Sequence, residues 1–77
     1  MKIVVFAGLK DYFEAEFEIQ ETPTTILELR DLLEKSNPSS AALLKKCRFA
    51  ISNSFVCLDE TLANVQEILV MPPSSGG

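Results

Sequence analysis

The 77-residue sequence contains no histidine, and its two cysteines lack the spacing of a metal-binding motif. Cys47 and Cys57 do not form a CxxC pair, so a zinc site would have to be built from carboxylates alone. We therefore expect no bound metal. Because neither cysteine has a neighbouring histidine to activate it, we expect both to be reduced and buried as small apolar residues.

Positive charge and long apolar runs are also scarce. Seven Lys and Arg residues stand against eleven Asp and Glu residues, a formal net charge of −4. Binding to a nucleic-acid backbone needs clustered Lys and Arg that displace counterions. The apolar run from Ile3 to Ala7 is too short for a signal-peptide core or a membrane-spanning helix. We expect a cytoplasmic protein with neither a nucleic-acid nor a membrane partner.

The composition is that of one small folded domain. Hydrophobic residues make up 47% of the chain and charged residues 23%, which is a globular balance and not that of a disordered acidic segment. A chain of this length buries only roughly 60% of the surface that it exposes when unfolded. There is little room for an active-site cleft within the domain itself.

Five short segments have the composition or the period-2 pattern of β-strands. Residues 14–20 alternate strictly between polar and apolar, which predicts a half-buried strand whose glutamates face solvent and form no catalytic pair. This segment should form an antiparallel hairpin with residues 2–7. The remaining predicted strands are 48–52, 55–58 and 67–71, with a tight turn at Asn53 and Ser54 between the first two.

One main helix is predicted between the second and third strands. Pro23 ends the strand before it, and Thr25 with Glu28 has the spacing of a reciprocal N-terminal cap. The helix ends near residues 36–38, and a short second helix is expected over 39–46. The expected fold class is α+β, a mixed sheet of four to five strands packed on the main helix. The apolar stripe that should face the sheet is Ile26, Leu29, Leu32 and Leu33.

The end of the sequence, Pro72-Pro73-Ser74-Ser75-Gly76-Gly77, is its most informative feature. Two glycines in the last two positions arise by chance in only ~0.5% of unrelated chains. Without a Cβ, they can pass along a narrow channel and bring the terminal carboxylate to a catalytic group. The prolines favour an extended tail, and at about 3.1 Å per residue it reaches roughly 19 Å, into a buried site of a neighbour. A frayed terminus or a scar of recombinant expression is the alternative.

These residues resemble those of the ubiquitin-like β-grasp sulfur carriers, and within them the group of molybdopterin synthase small subunits. The resemblance extends over essentially the whole chain, and the doubled proline before Gly-Gly is similar to the molybdopterin synthase group. A Gly-Gly end also suits thiamine-pathway sulfur carriers and ubiquitin-like protein modifiers. Family members often carry an Asp-Gly-Asp turn before the last strand, where this chain has Asn64-Val65-Gln66. The segments that carry the resemblance are residues 2–7, 23–29, 55–59, Leu62 and 72–77.

The resemblance implies a β-grasp domain over residues 1–71 and a flexible tail over 72–77. It implies that an ATP-using, ubiquitin-activating-like partner enzyme adenylates the carboxylate of Gly77, and that a sulfur donor then displaces AMP to leave a thiocarboxylate. The tail would enter a pocket of the synthase large subunit, where the sulfur attacks cyclic pyranopterin monophosphate in molybdenum cofactor biosynthesis. A heterotetramer of two small and two large subunits is implied. The carrier would bind no cofactor and would not be catalytic alone.

The resemblance also implies which residues act. Gly76 and Gly77 form the catalytic end of the tail, and the partner-binding residues are Phe6, Phe55, Met71, Pro72, Pro73, Ser74 and Ser75. For Phe6, Phe55 and Met71 the alternative is an ordinary core position. Two other functions remain open: a modifier whose Gly77 forms an isopeptide bond with a target lysine, and an interaction module whose Gly-Gly end is inert.

Overall fold

The computed structural model describes residues 1–73, and Ser74 to Gly77 lie outside the described residues. Five strands form one mixed sheet, as predicted, in the order β2-β1-β5-β3-β4. The central strand β5 runs parallel to β1, while every other neighbouring pair is antiparallel. The strands are β1 (Lys2–Val5), β2 (Glu16–Glu18), β3 (Arg48–Ile51), β4 (Ser54–Val56) and β5 (Glu67–Met71).

The predicted pairing of the first two strands is confirmed, but both strands are shorter than the sequence indicates. Ile3 of β1 lies opposite Phe17 of β2 in an antiparallel ladder. After β1 the chain turns into a short 3₁₀ helix, Ala7–Asp11, which begins with a left-handed Ala7 at φ 51°. The pattern did not predict this helix, and it forms because it brings Leu9 into the core with no exposed surface.

The main helix, α1 (Ile26–Ser36), begins at the predicted cap. The Thr25 hydroxyl accepts a hydrogen bond of 3.2 Å from the Glu28 backbone N–H. The Glu28 carboxylate in turn accepts from the backbone N–H and the hydroxyl of Thr24, at 3.1 and 2.7 Å, so the return bond reaches one residue further than in a standard capping box. The hydroxyl bond, followed by the backbone bond, lowers the pKa of Glu28.

Three of the four leucine and isoleucine positions predicted to face the sheet do so. Ile26, Leu29 and Leu33 are buried, but Leu32 is only half-buried, so its assignment to the core is wrong. Leu32 lies at the edge of the apolar stripe, where α1 meets the groove beside β2. The rest of the core comes from Ile3, Val5, Leu9, Leu44, Phe49, Leu62, Ile68 and Val70.

The segment after α1 is less regular than predicted. A 3₁₀ helix, Pro38–Ser40, precedes a single-turn helix, α2 (Ala41–Leu44), where one longer helix was expected. Ser40 is fully buried, and its hydroxyl donates to the Asn37 carbonyl at 2.6 Å. This satisfied polar group explains why the chain can bury a serine here.

Both turns that precede the last strands rely on left-handed residues. Ser52 and Asn53, at φ 49° and 70°, form the tight turn between β3 and β4, one residue earlier than predicted. Two successive positive φ values match the twist of a two-residue hairpin. Asn64, at φ 64°, supplies the left-handed position before β5, and asparagine tolerates this conformation better than most residues.

The two cysteines lie in different surroundings, and neither is in a disulfide. Cys47 is half-buried, and burial raises the pKa of its thiol to about 11. Cys57 is exposed just after the edge strand β4, so the expectation that it is buried is wrong. The apolar residues next to Cys57 in the sequence predict a buried strand. The cysteine is exposed because β4 lies at the edge of the sheet, which only the assembled sheet shows.

Candidate functional site

The tail leaves the sheet from its centre. β5 ends at Met71, and it is bonded to β1 on one side and to β3 on the other. Pro72 is half-buried and Pro73 is exposed. Of the predicted site residues, Ser74, Ser75, Gly76 and Gly77 lie outside the described residues. The point at which the tail starts is therefore held by two hydrogen-bonded neighbours.

A row of apolar side chains crosses the face of the sheet that points away from α1. Ile3, Val5, Ile68 and Val70 face the helix, and alternation along each strand turns their neighbours to the opposite face. The register then aligns Val4 with Leu69, Leu69 with Ala50, and Ala50 with Phe55. Together with Met71, we call these residues the outer patch: Val4, Ala50, Phe55, Leu69 and Met71. Ala50 is buried beneath its neighbours at 2% exposure, and the other four are half-buried or exposed.

Phe55 is the most exposed large apolar side chain within residues 1–73. Its exposed fraction is 52%, and the guanidinium carbon Cζ of Arg48 lies 4.0 Å from the centre of its ring. Such a stacked cation contributes about 0.5–1 kcal/mol at an exposed site. Arg48 also lies directly opposite Met71 in the β3–β5 ladder. A positive charge therefore stands between Phe55 and the start of the tail.

Phe6 and Met71 lie at the end of the sheet where the tail starts, whereas Phe55 lies in the row of Leu69, two residues before Met71. Phe6 follows β1 in an extended conformation, and Val5 is level with Val70, so Phe6 is level with Met71. Phe6 is 38% exposed and Met71 is half-buried. The core alternative is thus wrong for the two phenylalanines, while a partner-binding role for all three stays a prediction.

Sequence reasoning missed Val4, Leu69 and Arg48. The signal was present for the first two, because residues 3–5 and 68–71 are apolar at every position, which indicates strands with apolar residues on both faces. Nothing local indicates Arg48, since its position beside Phe55 depends on the pairing of β3 with β4. The outer patch is therefore a product of strand register.

Charged side chains border the outer patch at the end of the sheet remote from the tail. The Lys2 ammonium lies 3.3 Å from a Glu16 carboxylate oxygen and 3.6 Å from one of Glu67. Its hydrogen bond to Glu16, the charge of that carboxylate and then Glu67 raise the pKa of Lys2. The N-terminal amine lies 3.4 Å from Glu18. Glu16, Glu18 and Glu67 are exposed and ion-paired, in agreement with the solvent face predicted for the glutamates of β2.

The described part of the chain presents a partly exposed apolar surface beside the start of the tail. Among residues 1–73, no three His, Cys, Asp or Glu side chains are grouped to hold a metal ion. No helix within the same range has the length and apolar composition needed to cross a lipid bilayer. What the described residues present beside the start of the tail is the outer patch, with Phe6 and Arg48 at its edge.

Comparisons with known proteins agree with this architecture. A family model described as the ThiS family matches residues 3–77. The molybdopterin synthase sulfur carrier subunit of Mycosarcoma maydis is 28% identical over an alignment 86 residues long, which covers 100% of this chain and 92% of that protein. The crystal structure of SAMP1 from Haloferax volcanii is similar at a TM-score of 0.73 and 18% identity, covering 99% of this chain and 97% of that one. The fold is therefore the predicted ubiquitin-like β-grasp.

Proposed function

This chain belongs to the ThiS family, and from that membership we propose that it is the sulfur-carrier subunit of a molybdopterin synthase. The observation that carries the proposal is that the family match extends to Gly77 itself. The full-length similarity to the Mycosarcoma maydis subunit favours this pathway over other sulfur-carrier pathways.

The proposed chemistry takes place at the carboxylate of Gly77. A carboxylate is a poor electrophile, so an adenylating partner first joins it to AMP from ATP and releases pyrophosphate. A sulfur donor then displaces AMP and leaves a thiocarboxylate, whose anionic sulfur is a better nucleophile than the oxygen it replaced. In the large subunit this sulfur forms a carbon–sulfur bond to cyclic pyranopterin monophosphate as a carbon–oxygen bond of that substrate breaks, and the departing oxygen takes up a proton. Water must then cleave the remaining acyl–sulfur bond, which restores the carboxylate and releases the carrier.

The geometry of the described residues supports a division of labour between the outer patch and the tail. Apolar and aromatic side chains with a nearby arginine are the composition of interface centres. In the proposed complex the outer patch docks on the large subunit and places the start of the tail at the mouth of its pocket. Two small and two large subunits would form the assembly. The adenylating enzyme needs the same tail, so it would bind the carrier in a separate step.

A charged replacement at the outer patch should separate binding from folding. Phe55→Asp puts a carboxylate where an aromatic ring is 52% exposed, so the domain should keep its fold. Affinity for the large subunit should fall by about 2 kcal/mol, or roughly 30-fold, if Phe55 is an interface anchor. Calorimetric titration with purified large subunit measures the affinity, and circular dichroism measures the melting temperature. Met71→Asp should act in the same direction.

Leu27→Asp is the matched control for Phe55→Asp. Leu27 is also exposed, at 41%, but it lies on α1, on the other side of the sheet. It should leave the affinity for the large subunit unchanged. Equal affinities for Phe55→Asp and the native chain would remove Phe55 from the interface, and a melted Phe55→Asp domain would assign it a structural role.

The intact mass of the chain isolated from its native cells tests the proposed function. Replacement of one terminal oxygen by sulfur is expected, and the thiocarboxylated chain should yield molybdopterin with the large subunit and cyclic pyranopterin monophosphate. Conjugates joined through Gly77 to lysines of other proteins would instead indicate a modifier. A chain that is always unmodified, and inactive in the reconstituted reaction, would indicate an interaction module.

A further inference from the structure

A second surface lies on the opposite side of the sheet from the outer patch, in a groove of about 810 Å³ between β2 and α1. Phe17 is level with the buried Ile3, so it faces the helix side of the sheet. Phe17, Ile19 and Leu32 are half-buried and line the groove. Their partly exposed apolar surface is what side chains of a docked segment would cover.

The wall of the groove formed by β2 is an open sheet edge. β2 stands at the end of the strand order, with β1 as its neighbour. The Val5 N–H donates to the Ala15 carbonyl at 2.9 Å, and the Ile19 N–H donates to the Met1 carbonyl at 3.0 Å. Because backbone groups alternate in direction along a strand, those of Glu16 and Glu18 point away from β1. The edge thus presents two N–H and two C=O groups to an added strand.

The charge around the groove is strongly negative. Four carboxylates line it, those of Glu18, Glu21, Glu28 and Asp31, against the single ammonium of Lys35. Glu28 is occupied by Thr24. Glu18 is paired with the N-terminal amine at 3.4 Å. Glu21 and Asp31 therefore remain to favour a segment that carries lysine or arginine.

The two glutamates of β2, Glu16 and Glu18, disfavour a second copy of this chain at the edge. Pairing of two β2 edges would set Glu16 and Glu18 of one copy against those of the other. Like charges directly opposite each other destabilise a strand pair, and charged residues on an edge strand are a common protection against self-association. The occupant that suits both the open edge and its charge is therefore a different, basic chain.

We propose that the β2 edge and the β2–α1 groove bind an extended, basic peptide segment of a partner protein, which adds to the sheet as a sixth strand. Backbone hydrogen bonds to Glu16 and Glu18 hold the segment. Alternate side chains pack on Phe17 and Leu32, while its cations face Glu21 and Asp31. This site is separate from the outer patch and does not use the tail, so both surfaces can be occupied at once.

The test uses the full chain, labelled with ¹⁵N, and a capped synthetic peptide of alternating lysine and valine. Chemical shifts should change at residues 15–20 and at the groove-facing residues of α1, and affinity should fall as salt rises. The matched acidic peptide of alternating glutamate and valine should not bind. A lysine–valine peptide that is N-methylated at alternate residues keeps its charge but loses donors, and its affinity should fall roughly tenfold.

Variants of the chain separate the backbone contribution from the charge contribution. Glu18→Pro removes the outward N–H together with the charge, whereas Glu18→Gln removes the charge alone. An outward-facing proline is tolerated on an edge strand. We expect roughly tenfold weaker peptide binding for the proline variant than for the glutamine variant. Asp31→Lys should weaken binding roughly fivefold. Asp59→Lys reverses an exposed charge that follows the opposite edge strand, and it should leave the peptide affinity unchanged.

Four results with the peptide would overturn the proposal. The first is an absence of chemical-shift changes at about 1 mM peptide, the weak end of specific recognition, and the second is shift changes on the outer patch in place of the groove. The third is an equal effect of Asp31→Lys and Asp59→Lys on peptide affinity, and the fourth is equal affinity of the N-methylated and unmethylated peptides. Sedimentation that shows self-association lost in Glu18→Pro would assign the edge to a second copy and would also overturn it. If the melting temperature shows that Glu18→Pro does not fold, the N-methylated peptide decides the backbone contribution.

Discussion

Deletion of Gly77 is expected to reduce sulfur transfer by orders of magnitude while the melting temperature stays the same. The deletion shortens the reach of the tail by about 3 Å, well outside the distance tolerance of a reacting group. The carboxylate of Gly76 would then stop short of the adenylating site. The buried core comes from residues 3–70, so the domain should keep its stability. Adenylate formation, thiocarboxylate mass and molybdopterin yield measure the loss, and a thermal melt measures stability.

Isoleucine at either terminal glycine should fail for a different reason. Gly76→Ile and Gly77→Ile keep the length of the tail, but a β-branched side chain does not fit a channel shaped for bare backbone. Gly8→Ala is the matched control, because a Cβ at Gly8 would meet Leu43 Cδ2 at an ordinary 3.7 Å. It should transfer sulfur as the native chain does. Full activity of the Gly77 deletion would refute the sulfur-carrier proposal altogether.

Leu29→Ala is expected to lower the free energy of unfolding by about 2–5 kcal/mol, because it leaves a cavity in the place of the fully buried Leu29 side chain. That is a large share of the stability of a domain of this size. Leu27→Ala removes the same atoms from a side chain that is 41% exposed, and it should cost less than about 0.5 kcal/mol. Urea denaturation of both variants gives the comparison. Similar losses in the free energy of unfolding for the two leucine variants would show that the helix is rotated about its axis and packs a different face on the sheet.

The features that the sequence predicted well are those decided by near neighbours. The start of α1 depends on Thr25 and Glu28, three residues apart, and the structure forms the Thr25 cap while the Glu28 carboxylate turns to Thr24. The turn between β3 and β4 was predicted at Asn53 and Ser54 and forms one residue earlier, at Ser52 and Asn53, whose left-handed backbone is a local property. The pairing of the first two strands follows from a short connection between two strand-like segments.

The features that it missed depend on what lies across the fold. Leu32 belongs to the apolar pattern of α1, yet the width of the sheet leaves it beside the edge strand β2, half-buried. Cys57 sits among apolar neighbours, yet β4 is the other edge, and the cysteine is exposed. Residues 7–11 fold as a 3₁₀ helix because Leu9 finds a place in the core, which no local pattern reveals.

The sequence by itself determined the α+β class and the family resemblance, because these depend on residue identity and local order. The tertiary structure alone decided that Val4, Leu69, Ala50 and Phe55 form one row, and that β2 is left with an open, acidic edge. The physical reason is that β1 and β5 come from opposite ends of the chain and pair in parallel. Their register, set by burial of Ile3, Val5, Ile68 and Val70 against the helix, turns the alternate residues outward into a common surface.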